Sequence, residues 1–491
     1  MKRFLLSATI RIIRAILYGA LGAFLVLIFL FVWDLEKRPD LKVWHKVELD
    51  AEFTTKSKVT NFQEYLALEE KLFKQLDKLV YDRIQPEDRS IINRYNKGSM
   101  ADPGNSAPNW NRTFEMASDV PKAGVLLLHG LSDSPYSMRS LGLRLHEAGA
   151  QVLGLRVPGH GTAPSGLVSV KWEDMAAAVR LAMRHMKDKV GDRPIYIVGY
   201  SNGGALAVRY ALETLDDKTL PPVDRMVLLS PEIGVIPVAA LAIWQARLGH
   251  LLGLQKLEWT DILPEYEPFK YGSFAVNGGD LSHRLTGVNR SLLTELRNTE
   301  KLQQFPPTLA FQSAVDKTVS MRAVVEVLFK QLPAGDHELL LFDINRSKEL
   351  EMVLKSDPKS YIGSLLKDPG LPFTLSFFTH TTNQTGRIVI RNKEAGQSAV
   401  NETFPNLKWP EHVYSLSHVA LPFPPDDPIY GGNVSSDLPG IQLGNLAMRG
   451  ERDTLQIPAS TMLRMRWNPF YDFMENRIVE YLNLDELKNE N

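Results

Sequence analysis

Residues 195–204 read IYIVGYSNGG. An apolar, β-branched run ends in Gly199, Ser201 and Gly203, and GGALAVRYALETL follows with the apolar spacing of a helix. A strand that turns at once into a helix leaves no space for side chains beside the turn. Glycine is therefore required there, and the serine between is held strained with its hydroxyl exposed. A glycine turn with an incidental serine would need neither flanking element. The context predicts a nucleophile elbow at Ser201.

The surroundings of that turn set the fold class. From Lys122 the chain alternates: AGVLLLHG (strand), MRSLGLRLHEAG (helix), AQVLGLRV (strand), WEDMAAAVRLAMRHMKDKV (helix), then the elbow and DRMVLLSP (strand). Strands apolar along their whole length, separated by helices, predict a parallel sheet covered on both faces. The alternation lapses after Pro231 and resumes with PTLAFQSAVD (strand), VSMRAVVEVLFKQL (helix) and HELLLFDI (strand). A second irregular stretch runs from about 346 to 411, and NPFYDFMENRIVEYLNL closes the chain as an amphipathic helix.

At 491 residues the chain exceeds one average domain. With net charge −1 and no Lys/Arg-rich stripe in the globular part, no nucleic-acid partner is expected. The absence of cysteine excludes disulfides, thiolate metal sites and a cysteine nucleophile. No HExxH or clustered ligand set is present, so neither metal nor organic cofactor is expected.

Lys2, Arg3, Arg11 and Arg14 precede ILYGALGAFLVLIFLFVW, which is uncharged from Ile16 to Trp33. With Ala15 this matches the length a helix needs to cross a bilayer core. No small-residue cleavage site follows, so residues 1–34 read as an uncleaved anchor rather than a signal peptide or a buried core helix. The basic flank keeps the N-terminus in the cytoplasm and the rest outside it, on the periplasmic side if the source is bacterial. Residues 35–120 read as a helical and loop spacer packing on the main domain. FQEYLALEEKLFKQLDKLVYDRI has helical spacing, and KGSMADPGNSAPNWNR reads as a surface loop.

The oxyanion formed when a serine attacks needs N–H donors. Those of Asn202, at the helix start, and Leu131, in the loop HGLSD after LLLHG, are the candidates. His129 closes a strand at that loop and His160 lies in PGHG; both read as structural, hydrogen-bonding histidines.

LLLHGLSDSPYSMRSLGLRLHEAGAQVLGLRVPGHGTAPSGL, VGYSNGG and AFQSAVDKTVS together resemble the α/β-hydrolase superfamily. Within it they resemble monoacylglycerol lipases, carboxylesterases and serine-aminopeptidase-like enzymes. The resemblance covers about 121–230 well and 305–345 fairly. It implies an α/β-hydrolase fold over 121–491 with a helical cap at about 231–305, from which this chain departs by an expected insertion at about 346–411. It also implies a chain order of Ser, then an acid, then His.

The acid should follow the strand after the cap. Asp316 in AVDKTVS fits, with Asp343 at the end of HELLLFD as runner-up. Chain order leaves His337, His380, His412 and His418. Catalytic groups collect at the carboxyl ends of parallel strands. His337 and His412 precede their strands, whereas His380 closes PFTLSFFTH and His418 closes HVYSLSH. TTNQTGRIVI after His380 reads as a hairpin leaving the main sheet. VALPFPPDDPIYG after His418 reads as a loop reaching over the sheet edge, which favours His418. Acid and base then lie about a hundred residues apart, more than the family's usual few tens; an insertion absorbs the excess.

These residues would form an acyl-enzyme and release it to water, with no cofactor. A serine in the elbow excludes the relatives whose nucleophile is aspartate. VIPVAALAIWQARLGHLLGL in the cap is strongly apolar and broken by glycine, which suits either a lid or plain packing. With a membrane anchor it favours a lipid acyl ester as substrate. Amide hydrolysis stays open, because Glu265, Glu267 and Asp280 in the cap are candidates to meet a free amino terminus. A membrane-tethered interaction protein on a degenerate hydrolase fold is the reading from another class.

Overall fold

The computed structural model describes residues 2–234, 253–297, 299–346, 354–355, 357–381, 387–434, 440–446, 456 and 458–485. Its centre is a sheet of ten strands: β1 (Phe114–Met116), β2 (Gly124–Leu128), β3 (Gln151–Leu155), β4 (Ile195–Tyr200), β5 (Arg225–Leu229), and, beyond a small separate pair β6 (Trp259–Asp261) and β7 (Phe274–Ala275), β8 (Thr308–Ser313), β9 (Glu338–Phe342), β10 (Thr374–His380), β11 (Ile388–Lys393) and β12 (Asn401–Thr403). The spatial order is β1-β3-β2-β4-β5-β8-β9-β10-β11-β12. Neighbours from β3 to β10 run parallel, while β1, β11 and β12 are antiparallel additions at the edges.

Alternate residues of one strand enter opposite cores. Leu126 and Leu128 of β2 join a cluster with the helix Trp172–Val190, whereas Val125 and Leu127 pack with the closing helix Tyr471–Tyr481. Because both faces are covered, these strands read as unbroken apolar runs.

Three expectations need correction. PFTLSFFTH does not leave the main sheet: as β10 it is the last parallel strand, in register with β9 from Thr374↔Glu338 to Phe378↔Phe342. The hairpin partner β11 and the short β12 also stay in this sheet, as its antiparallel edge, so the stretch 346–411 contributes three strands to the central sheet. HVYSLSH forms no strand. The edge of β9 is already taken by β10, and residues 413–417 instead run irregularly across its end, where Asn345 N–H donates to Tyr414 O at 2.8 Å. Residues 35–120 also contribute β1 to the sheet, a three-residue strand too short to show a period.

The helix Phe62–Leu79 buries Phe62, Leu72 and Leu76 as its spacing predicts, together with Tyr65 and Phe73, whereas Leu66, Leu68 and Leu79 are only half-buried. The expected anchor is helical, within Lys2–Lys37. Among the described residues, however, no helix is long and apolar enough to cross a membrane. The side chains at 24, 27, 28 and 31, inside the apolar run, lie outside the described set. The apolar cap stretch lies outside it from 235 to 252; the described remainder of the cap is β6, β7 and the helix Val276–Leu296.

Candidate active site

Ser201 sits between β4 and the helix Asn202–Asp216 at φ 54°, ψ −116°, a left-handed conformation costly for any residue with a Cβ. The flanking glycines are enforced by contact. A Cβ on Gly199 would lie 2.5 Å from Gly203 O, and one on Gly203 would lie 2.2 Å from Leu128 O. Ser201 N–H donates to Leu229 O at 3.0 Å, which ties the elbow to the end of β5.

Ser201 Oγ lies 3.0 Å from His418 Nε2, and His418 Nδ1 lies 2.8 Å from Asp316 Oδ2. In the tautomer that satisfies both contacts, Nδ1–H donates to the carboxylate and Nε2 accepts from the serine hydroxyl. All three favoured side chains thus meet in one chain of hydrogen bonds. Asp316 follows β8, and its Oδ1 accepts from Thr318 N–H at 2.7 Å and Val319 N–H at 3.1 Å. Burial pushes its pKa up, but the hydrogen bond and charge of His418 and these N–H groups outweigh it, holding the carboxyl below its usual range.

His418 arrives by an unexpected route. It opens a short 3-10 turn, His418–Ala420, on a loop that returns over the strand ends, pinned by Ser417 Oγ donating to Met465 O. His380 closes β10, four places from β4 in the sheet and so about 19 Å away at normal strand spacing. Both its ring nitrogens are buried without a described partner, beside Trp409. Asp343 is fully buried in a pair with Arg346 (Oδ1 to Nη2, 2.8 Å) and accepts from Thr379 Oγ1. His337 immediately precedes β9, at the far end of the strands, and His412 is exposed.

Asn202 is the first residue of its helix, so its N–H has no intrahelical acceptor. Leu131 lies in the turn after β2, against which Gly203 packs. Among the described hydrogen bonds neither N–H has a partner. His129 bridges this loop to the next strand: Val157 N–H donates to Nε2 at 3.1 Å, and Nδ1 reaches Gly130 O at 2.9 Å. His160 Nδ1 reaches Pro158 O at 3.0 Å, and burial depresses its pKa to about 4. Both histidines have the structural geometry expected of them.

Several residues at the site were not singled out from sequence. Glu232, just after β5, is buried; its Oε2 accepts from Asn202 Nδ2 at 2.9 Å and from Ser282 Oγ of the cap helix at 3.0 Å. Its pKa is raised by burial. Asp133, within the quoted loop HGLSD, pairs with Lys270 of the cap at 2.7 Å. The signal for Asp133 was its place two residues past Leu131; Glu232 had none beyond following a strand. Glu265 accepts from Gly272 and Ser273 N–H at 3.0 and 2.8 Å, and Glu267 pairs with Arg466 at 2.8 Å. Asp280 lies 3.9 Å from Arg284. Among the described residues, no group of three or more His, Cys, Asp or Glu is arranged to hold a metal ion.

Residues 119–344 match the family model described as Serine aminopeptidase, S33. Over 104 residues the chain is 32% identical to the thermostable monoacylglycerol lipase of Bacillus sp. (strain H-257); the match spans 21% of this chain and 41% of that protein. Among solved structures, a monoacylglycerol lipase of Paleococcus ferrophilus is similar at 18% identity and TM-score 0.35, covering 47% of this chain and 89% of that one. A soluble variant of the monoglyceride lipase of Saccharomyces cerevisiae is similar at 17% identity and TM-score 0.36, covering 47% and 82%. The family match and the strand order agree: this chain carries an α/β-hydrolase core similar to those of lipases and esterases.

Proposed function

We propose that this protein is a membrane-anchored serine hydrolase that cleaves carboxylic esters, with lipid acyl esters as its substrate class. The observation that carries the reading is the unbroken line Ser201 Oγ–His418 Nε2–Asp316, 3.0 and 2.8 Å, at a strained strand-to-helix turn. His418 Nε2 takes the Ser201 proton as Oγ bonds to the ester carbonyl carbon. Asp316 holds the ring's orientation and stabilises the imidazolium. The carbonyl oxygen, now an anion, sits at the Asn202 and Leu131 N–H groups. Collapse breaks the ester C–O bond, and the leaving alkoxide takes the proton from His418. Water then attacks the acyl-enzyme with His418 as base, releasing the acid and restoring Ser201.

The 32%-identical relative being a monoacylglycerol lipase supports an acyl ester. The side chains of Ile16, Leu17, Leu21, Leu25, Val26, Phe29 and Leu30 stand exposed on the N-terminal helix, which supports burial of that helix in a bilayer. The basic N-terminal flank supports an orientation with the catalytic domain outside the cytoplasm. Two of the amide reading's three amine-binding candidates, Glu265 and Glu267, are engaged by internal partners, which weakens that reading. An intact hydrogen-bonded Ser-His-Asp line disfavours a non-catalytic role.

The test is a chain-length series of p-nitrophenyl esters against aminoacyl amides. Ester turnover that Ser201→Ala abolishes is expected. Turnover of the amides alone, or turnover that survives Ser201→Ala, would overturn the proposal.

A further inference from the structure

Beside the reacting centre lies a cavity of about 70 Å³, room for a few waters or one compact polar group. Three of its lining residues, Val419, Asp133 and Arg464, are next in chain or hydrogen-bonded to segments of the Ser201 site. Val419 follows His418 directly, and Asp133 lies two residues beyond Leu131 in the same loop. Arg464 Nη2 donates to Thr318 Oγ1 at 2.7 Å, on the turn whose N–H groups hold Asp316.

The walls carry more charge than an apolar ester requires. Lys270 and Arg466 each face a carboxylate: Lys270 Nζ lies 2.7 Å from Asp133 Oδ1, and Arg466 Nη1 lies 2.8 Å from Glu267 Oε1. Glu267 Oε2 also accepts from Tyr430 at 3.1 Å. Both carboxylates are thereby answered. Arg464 is the third cation, and among the described residues it pairs with no carboxylate. Three positive charges therefore line the cavity against two negative ones. The side chains of Asp133, Glu267 and Arg466 are only 7%, 7% and 10% exposed and each meets its partner, whereas the Arg464 guanidinium stands exposed at the rim with Thr318 Oγ1 as its described acceptor. A single negative charge on a ligand would balance the set, and a guanidinium fork suits a carboxylate or phosphate.

We propose that this cavity is a subsite for a singly charged oxyanion, a carboxylate or a phosphodiester, borne by the ester that Ser201 cleaves, with Arg464 supplying the unbalanced charge. The inference rests on the serine-hydrolase reading above. It narrows the substrate class from acyl esters in general to anionic ones.

The test uses the full chain in detergent and two matched pairs. Mono-p-nitrophenyl glutarate against p-nitrophenyl pentanoate places a carboxylate on the acyl side. Octanoyl-glycerophosphoglycerol against monooctanoylglycerol places a phosphodiester on the leaving group. In at least one pair the anionic ester should lead in kcat/KM by about tenfold, the effect of one charge-assisted bond; the pair that responds identifies the oxyanion. Arg464→Gln should remove that preference and Arg464→Glu should invert it, and Arg464 is exposed enough to change without unfolding the chain. Turnover of neutral and anionic esters at equal rates, or a preference that survives Arg464→Gln, overturns the subsite while leaving the hydrolase reading in place. No hydrolysis of any ester and no labelling of Ser201 by a neutral fluorophosphonate overturns both.

Discussion

Ser201 holds a backbone conformation that costs free energy, and its neighbours are glycines because nothing larger fits. That arrangement lifts one hydroxyl clear of the strand and sets it 3.0 Å from an imidazole nitrogen. The serine was legible from ten residues of sequence because the constraint is local. The histidine was not local at all. His380 and His418 both read as closing a strand, and the segment after each is what favours His418; the structure sets His418 beside Ser201 without a strand. His418 sits on a loop that returns over the strand ends, where no run of sequence periodicity marks it. His380 stands at the end of β10, too many strands away. His418→Ala should therefore lower ester turnover about a thousandfold or more, and His380→Ala should leave most of it, both read as kcat on a p-nitrophenyl ester. Loss of turnover in the His380 variant with retention in the His418 variant would reverse the assignment.

Elements buried on both faces announce themselves, which is why the parallel strands were readable from apolar runs alone. Their sheet neighbours were harder. β10 carries Ser376 and Thr379 and is followed by a turn-rich segment, so its sequence looked like an excursion although it pairs with β9 along its length. β1 is only three residues long and has no readable period. Closing helices reveal charge placement only once their packing is known. In the helix Tyr471–Tyr481, burial and the nearby Asp472 raise the pKa of Glu475 from its usual 4.5 to about 7. A group raised in the folded state lends stability that is whole below its unfolded pKa and is lost as pH rises through the folded one. Glu475→Gln should thus match the wild type in Tm near pH 4 and exceed it at pH 8. Equal Tm values at both pH values would contradict this.

At the scale of the molecule, the segment before the family-matched core is bound into it rather than resting on it. Arg156, at the end of β3 and 1% exposed, joins Glu52 through Nη1 and Nη2 at 3.1 and 2.9 Å, and Glu69 through Nε at 3.1 Å. Tyr65 donates to Arg156 O from the same helix as Glu69. Removing the guanidinium would leave two carboxylates without their cation, at a cost of about 3 kcal/mol or more. Arg156→Ala should lower Tm and expose residues 35–112 to limited proteolysis; an unchanged Tm and cleavage pattern would show that the segment is only loosely attached. Neither carboxylate could be paired with Arg156 from sequence, since 104 and 87 positions separate them. On the proposed reading, this whole frame serves to make Ser201 a nucleophile. Reaction of the full chain with a fluorophosphonate, followed by peptide mass spectrometry, tests it most directly. One adduct on Ser201, absent from the Ser201→Ala protein and strongly slowed in His418→Ala, is the expected result; folded wild-type protein that stays unlabelled would contradict the account.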